Sequence, residues 1–417
     1  MSKKKRKSKI KKIIKKIKKS NSKFTLSETL TIMIVSILVG ILIGSSMTYG
    51  GDNIVISKIP EDLEEFILTY NDLTSNFYNK IDKKELINSA IKGMVDSLDD
   101  PYSQFMEDEL SSEFNETVDG EYVGIGATVS YDGENAIIAA MYNNSPSKKA
   151  GLEVGDKIIE VNNKSTNKMN LSKISSLIKG KAGTTVVIKV LRGEDEKEFK
   201  VKRSKISIPS VVTKVIEKDN KKIGYISINI FASNTDKQFE QKLKQLEKKK
   251  IDSLIIDVRN NPGGHLLQVT NIIELFTKKN SVIYQIEKNG KCKKIKDKTK
   301  THRNYDIVVL LNRSSASASE VLSSTLHDVY NAKLVGKTTY GKGTVQSSYK
   351  LSDGSTLKYT TQKWLTSKGK WINEKGVTPD YDIDLGEDYS KNPGDDTDNQ
   401  LQKAIEILTK KEEEKSN

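Results

Sequence analysis

The sequence predicts an α/β fold of mixed α+β character. It has a core with a central sheet and flanking helices, a smaller inserted module, an N-terminal helical segment and one transmembrane helix. Three observations predict this. Short apolar runs such as "IVVLL" at 307–311 fit buried strands, and they alternate with segments of helical periodicity. The stretch 120–203 is set apart by glycine turns between short strands. The segment 24–47 is almost uncharged.

The N-terminus comes first in the chain. Residues 1–23 hold thirteen Lys/Arg and no Asp/Glu, so of the net charge of +14 only about one unit is left to the rest. The body is nearly neutral with acids and bases interspersed, which argues against a nucleic-acid binder. The run "FTLSETLTIMIVSILVGILIGSSM" at 24–47 carries one charge, Glu28, and a helix needs about 20 apolar residues to cross a bilayer. The basic block before it places the N-terminus in the cytoplasm and the body outside, in a single-pass arrangement in the cell membrane. A cleaved secretory signal is the alternative. Ile10, Ile13, Ile14 and Ile17 recur at helical spacing among the lysines, which suits either an amphipathic helix on an anionic leaflet or a solvated tail. The single cysteine, Cys292, rules out a disulfide framework within the chain. The three histidines show no metal-ligand spacing, and no cofactor is expected.

Beyond the expected anchor at 24–49, a helical region spans 57–118. Leu63, Phe66, Ile67, Tyr70 and Leu73 keep a 3.6-residue rhythm, as do Leu86, Ile87, Ala90, Ile91 and Met94, up to the turn signal "DDPYS" at 99–103. The module at 119–204 reads as strand, strand, short helix, strand, helix and strand. Its run "SPSKKAGLEVGDKIIEVNN" resembles a PDZ domain. Such a module adds a peptide as an extra strand, and the N–H groups of Gly124, Ile125 and Gly126 are candidates to capture its terminal carboxylate; a tight hairpin alone is the other reading of those glycines. The core at 205–386 alternates strands and helices, with Phe239, Leu243 and Leu246 facing inward from one helix and two hairpins expected at turns 352–354 and 367–369. A polar tail at 387–417 ends in the amphipathic stretch "NQLQKAIEILTK".

The chemistry centres on "NRSSASASEVLSST" at 312–325, which puts six serines into eleven residues, Ser314 to Ser324. A strand precedes it and a helical pattern follows, so it reads as a strand-to-helix turn where α/β enzymes expose a reactive group. A serine hydroxyl needs a base. His265 and His327 qualify by residue type only. Lysine qualifies if burial keeps it neutral. Lys342 stands out because Gly341 and Gly343 flank it, although Gly-Lys-Gly is also an ordinary turn. Gln346 lies on the same face of the strand that follows and can hold the amine without adding charge. Ala316 and Ala318 leave room beside Ser317. The N–H of Ala318, at a helix start, is a candidate oxyanion donor, as are those of Gly263 and Gly264 in "NNPGGH".

The ordered set "SAIKGMVDSLDDPYSQFM", "GIGATV", "RNNPGGHLLQ", "NRSSASASEV", "VGKTTYGKGTVQ" and "GVTPDY" resembles the C-terminal processing peptidases, also called tail-specific proteases, over roughly 60–408. The resemblance implies a serine endopeptidase that cleaves proteins near or from their C-termini through a serine–lysine dyad. It assigns Ser317 as nucleophile, Lys342 as general base and Gln346 as the base's partner. It also assigns an oxyanion hole from Ala318 and one of Gly263 or Gly264, a structural role for Asp328, and neighbouring roles for Ser315 and Ser319. Implied partners are protein or peptide substrates with free C-termini, bound by the PDZ module; a homodimer is left open. One rival is an inactive PDZ scaffold or sensor, which would lose the Ser/Lys/Gln set. Another is a cell-wall peptide hydrolase with S-x-x-K, which no serine of the cluster shows.

Overall fold

The computed structural model describes residues 60–300 and 302–410. The chain divides into two compact units after Ile87. The first holds α1 (Glu61–Asn76), which starts behind Pro60 with Glu61, Asp62 and Glu64 in its first turn, where negative charge suits the helix dipole. The apolar rhythm of α1 is present, but Leu63, Phe66 and Leu73 are exposed.

Among the described residues no helix is long and apolar enough to cross a membrane. The longest, α1, has 16 residues. That makes about 24 Å of helix, where a bilayer core asks about 30 Å. The expected transmembrane helix is therefore corrected, and with it the single-pass membrane location and the extracytoplasmic placement of the body. The fold is mixed α/β with an inserted module. The segments 1–23 and 24–49, to which the tail and the anchor were assigned, lie outside the described residues.

α2 (Lys83–Asp96) runs across the division. In the second unit the helical region breaks at Pro101. A three-residue strand, β1 (Gln104–Met106), precedes α3 (Asp108–Asp119). α3 stops at Gly120, which is left-handed at φ 67° and packs so closely on Asn234 and Ala232 that a Cβ would not fit.

The inserted module holds β2 (Glu121–Gly124), β3 (Ala127–Tyr131), β4 (Ala136–Met141), α4 (Pro146–Ala150), β5 (Lys157–Val161), β6 (Lys164–Ser165), α5 (Leu171–Ile178), β7 (Thr185–Arg192), β8 (Asp195–Lys202) and β9 (Ser204–Ser207). Its sheet runs β3-β4-β5-β7-β8, with β6 on β5. Ile138, Ile158, Val161, Ile174, Val186 and Ile188 form its own core. β2 pairs with β9 alone, an antiparallel ribbon at the point where the chain enters and leaves the module.

The main core follows: β10 (Val211–Lys218), β11 (Lys221–Ile228), α6 (Thr235–Lys248), β12 (Ser253–Asp257), α7 (Leu266–Ile273), β13 (Val282–Lys288), β14 (Lys291–Lys296), β15 (Asp306–Leu311), α8 (Ala318–Tyr330), β16 (Lys333–Gly336), β17 (Thr344–Lys350), β18 (Thr356–Thr366), β19 (Tyr381–Asp382), α9 (Glu387–Lys391) and α10 (Asn399–Thr409). One sheet runs β10-β11-β12-β15-β16-β19 and is parallel from β11 onward. Its central strands β12 and β15 are buried on both faces, as parallel strands require. Ile226, Leu254, Ile256 and Val309 join the side chains of α6, α7 and α8, whereas Ile255, Val308, Leu310 and Val335 meet Leu401, Ala404, Ile405 and Leu408 of α10. The amphipathic tail thus docks on the back of the sheet.

A second sheet runs β1-β18-β13-β14, with β17 on β18. β13 and β14 turn on Asn289-Gly290, both at positive φ (50° and 73°), a hairpin signal that the strand–helix alternation masked. The turn at 352–354 closes the β17–β18 hairpin as expected. The turn at 367–369 reverses β18, but no strand follows, because Ile372 turns into the core instead.

Candidate active site

The serine turn leaves β15 and enters α8. Ser317 sits at its apex with φ 53° and ψ −113°, a conformation that costs a non-glycine residue about 1–3 kcal/mol and persists only where the surroundings impose it. The surroundings do so through main chain and buried hydroxyls. Ser315 Oγ donates to Val258 O (2.7 Å), Ser319 Oγ donates to Asn261 O (2.9 Å), and Ala316 N–H donates to the same carbonyl (3.0 Å). Ser323 and Ser324 are buried in α8 and bond back to its carbonyls. Of the cluster, Ser317 lines a cavity of about 290 Å³, together with Gly264, His265, Lys342, Gln346 and Lys358.

The facing turn follows β12. Buried Asn261 donates from Nδ2 to Ile228 O (2.8 Å) and accepts the Gly263 N–H on Oδ1 (2.9 Å). Gly263 lies so close to the serine turn that a Cβ would stand 2.8 Å from both Ala316 O and Ser317 Cβ. At Gly264 a Cβ would meet Phe231 O at 2.3 Å. The Gly263 N–H is thus engaged, while those of Gly264 and Ala318 find no acceptor among the described residues. Beneath this turn, Arg259 is paired to Asp257 (2.6 Å) and Asp398 (2.8 Å), which ties the base of the loop to the start of α10.

Lys342 rides on the third turn. Trp364 Nε1 donates to Lys342 O (2.7 Å), Trp371 Nε1 donates to Gly343 O (3.0 Å), and Gly343 N–H donates to Asn373 Oδ1 (3.0 Å). Both tryptophans of the chain therefore hold this turn. The glycines are needed: a Cβ on Gly343 would lie 2.6 Å from Trp371 Nε1, and one on Gly341 would lie 2.9 Å from the N atoms of Lys375 and Gly376. Burial pulls the Lys342 amine down to about 8; the nearby charge of Lys358 adds to this, and Asp100 and Glu320 oppose it. At pH 7 roughly one such amine in ten is neutral, against fewer than about one in a thousand for an exposed lysine. No hydrogen bond joins Lys342 to Ser317 among the described residues. Gln346 spends both Nε2 donors on Thr344 Oγ1 and Thr360 Oγ1 (3.0 Å each), which leaves its Oε1 as the acceptor.

Glu320 joins the serine and lysine turns. It is fully buried, and four donors converge on its carboxylate: Ser317 N–H (2.7 Å), Thr339 Oγ1 (2.6 Å), Gly341 N–H (2.6 Å) and Lys342 N–H (2.9 Å). Burial pushes its carboxyl up against the pull of those donors.

Residues 222–383 match the model of peptidase family S41, 137–192 match a PDZ domain, and 43–110 match the N-terminal domain of the activating protease CtpB. The carboxy-terminal processing protease CtpA of Bacillus subtilis is 40% identical over 331 residues, which is 79% of this chain and 70% of that protein. The chain belongs to peptidase family S41. It is a carboxy-terminal processing serine peptidase with a PDZ domain. Its S41 relatives include CtpB of Bacillus subtilis, 36% identical over 78% of this chain and 68% of that one. A CtpA-like serine protease of Staphylococcus epidermidis is 36% identical over 84% and 71%. Among solved structures, the photosystem II D1 C-terminal processing protease aligns over 83% of this chain and 91% of its own, at 27% identity and a TM-score of 0.46.

The other residues read from the sequence of this S41 peptidase fall in three places. Gly124 and Ile125 line a groove of about 410 Å³ between β3 and α5, whereas Gly126 packs against Ser145. Asp328, at the far end of α8, bonds Lys368 Nζ (2.9 Å) and Ser367 Oγ (3.3 Å) and so fastens the helix to the turn after β18. His327 lies beside Asp328 and Asp380, away from the cavity; His265 lines it but faces Ser233 Oγ (3.1 Å) and Val118 O (3.2 Å). Sequence reasoning passed over Asn261, Glu320, Trp364 and Trp371. The spacing of Ser317 and Glu320 as S-x-x-E, a capping-box pattern, was a signal for one of them. The tryptophans gave none.

Proposed function

We propose that this S41 peptidase works through Ser317 as nucleophile and Lys342 as general base, with Gln346 Oε1 accepting from the lysine amine. The observation that carries the reading is a lysine pulled down to about 8 in the same cavity as the strained Ser317. In its neutral form Lys342 takes the proton as Ser317 Oγ attacks the scissile carbonyl, and then returns it to the leaving amine. It next draws a proton from the water that hydrolyses the ester. The oxyanion is received by the N–H groups of Ala318 and Gly264, since that of Gly263 is spent on Asn261. The groove between β3 and α5, in a module we bound at 119–204 beside a protease core at 205–386, takes the C-terminal residues of a protein substrate.

The test uses full-length protein and a protein substrate with an apolar C-terminus. Ser317→Ala and Lys342→Ala each lose about a thousandfold or more in kcat/KM with unchanged circular dichroism, and Lys342→Arg does not rescue, because arginine cannot become neutral. A substrate with an amidated C-terminus shows a raised KM. Wild-type rates with Lys342→Arg would end the base assignment, and intact cleavage by Ser317→Ala would leave the PDZ-scaffold reading.

A further inference from the structure

The lysine cavity is closed by residues that lie far from Lys342 in the chain. The turn at 100–103 leads into β1, which pairs with β18 so that Gln104 stands opposite Lys358. The turn is tightly tied. Asp100 Oδ2 accepts from Ser103 Oγ (2.5 Å), Asp100 Oδ1 accepts from Tyr102 N–H (3.3 Å), and Ser103 Oγ accepts the Thr360 N–H of β18 (3.1 Å). This brings the Tyr102 ring over Lys342, with Nζ 4.7 Å from the ring centre. On β18 itself, Lys358 reaches into the cavity that holds Ser317 and Lys342, its Nζ over the ring of Phe114 (5.3 Å).

The groups around the amine can be sorted by charge. Asp100 is held below its ordinary value by the bonds of its turn, which outweigh burial, so it is ionised at neutral pH. The Tyr102 hydroxyl, half-buried and bonded to Tyr340, is pushed up to about 12 and stays neutral. Glu320, on α8, is saturated by its four donors. His265, at the start of α7, is turned to Ser233 and Val118. Three charged groups therefore act on Lys342. Asp100 and Glu320 favour its protonated form and Lys358 its neutral form.

We propose that Asp100 and Lys358 are opposed positioning residues for Lys342: from the turn at 100–103 and from β18 they set how readily its amine gives up the proton, while the Tyr102 ring keeps water from it. The inference rests on Lys342 being the base. The segment before the PDZ domain is then part of the catalytic apparatus.

The experiment measures kcat/KM against pH for full-length wild type, Asp100→Asn, Lys358→Met and the double variant. Removing the acid stabilises neutral Lys342, so at pH 6.5 Asp100→Asn retains about threefold more of its own alkaline plateau than wild type does. Lys358→Met retains about threefold less, and the double variant returns toward wild type. Limbs that stay put, or that move the same way in both single variants as a general loosening would make them, overturn the proposal. A second measurement does not need activity. In Ser317→Ala protein, the pH dependence of Lys342 acetylation by acetic anhydride, read by peptide mass spectrometry, gives the same ordering; an unchanged order of reactivity overturns it equally. An active Lys342→Ala would instead sink the dyad, so the two failures are distinct.

Discussion

The serine turn and the lysine turn face one cavity, yet the first leans on main-chain carbonyls and buried hydroxyls and the second on indole, amide and aromatic side chains. Around Ser317 the partners are the carbonyls of Val258 and Asn261, the close approach of Gly263, and buried hydroxyls. Around Lys342 they are two indole N–H groups, an asparagine and a tyrosine ring. The proposed nucleophile needs a fixed position, and contacts to main-chain carbonyls supply it with little freedom. The base needs a proton affinity matched to its task, and that is set by nearby charges and burial. Glu320 belongs to both, and the Tyr340 N–H joins them directly by donating to Ser315 O (3.0 Å).

If that contrast holds, damage to the serine side should act through geometry and be severe. Gly263→Ala puts a methyl 2.8 Å from Ser317 Cβ, inside van der Waals contact, at a residue with φ 105°. We expect about a thousandfold loss in kcat at every pH, with the acid limb of the profile unmoved. A shifted limb would show that the two sides are not separable. Breaking the shared residue comes next. Glu320→Gln turns an amide donor toward groups that already donate, and should cost about 3 kcal/mol in denaturant unfolding and about a hundredfold in rate. An unaltered midpoint would mean that the four-donor cluster adds nothing to the fold. The smallest effect is expected on the lysine side. Trp371→Phe removes one hydrogen bond to Gly343 O and should lower kcat by about fivefold to tenfold, because Trp364 still holds the preceding carbonyl. A loss as deep as that of Gly263→Ala would erase the distinction.

These contacts also explain what the sequence could reveal. Strand–helix alternation, the Gly-Lys-Gly turn and the Asn-Pro-Gly-Gly turn are local patterns, and the structure places Lys342 and Gly264 in the cavity with Ser317. Spacing could not choose among six serines. Burial narrows them, because Ser315, Ser319, Ser323 and Ser324 are interior and bonded, and of the remaining two only Ser317 lines the cavity. The roles of Asp100, Tyr102 and Lys358 depend on pairing between β1 and β18, more than 240 residues apart in the chain. No window of sequence contains such a contact. Helical rhythm at 61–76 was legible, but rhythm alone does not say which face becomes covered, and Leu63, Phe66 and Leu73 of α1 are exposed. Apolar length at 24–47 suggested a membrane span, yet no described helix is of that kind.

The short strand β1 has one more consequence, and it concerns timing. A ribosome delivers Tyr102 and Asp100 early, Ser317 late, and β18 later still. The turn at 100–103 is fixed to the second sheet only when Thr360 is present to donate to Ser103. A growing chain therefore carries its reactive serine before the surroundings of its base are complete. On the proposed dyad, hydrolytic competence arrives only with the nearly finished polypeptide.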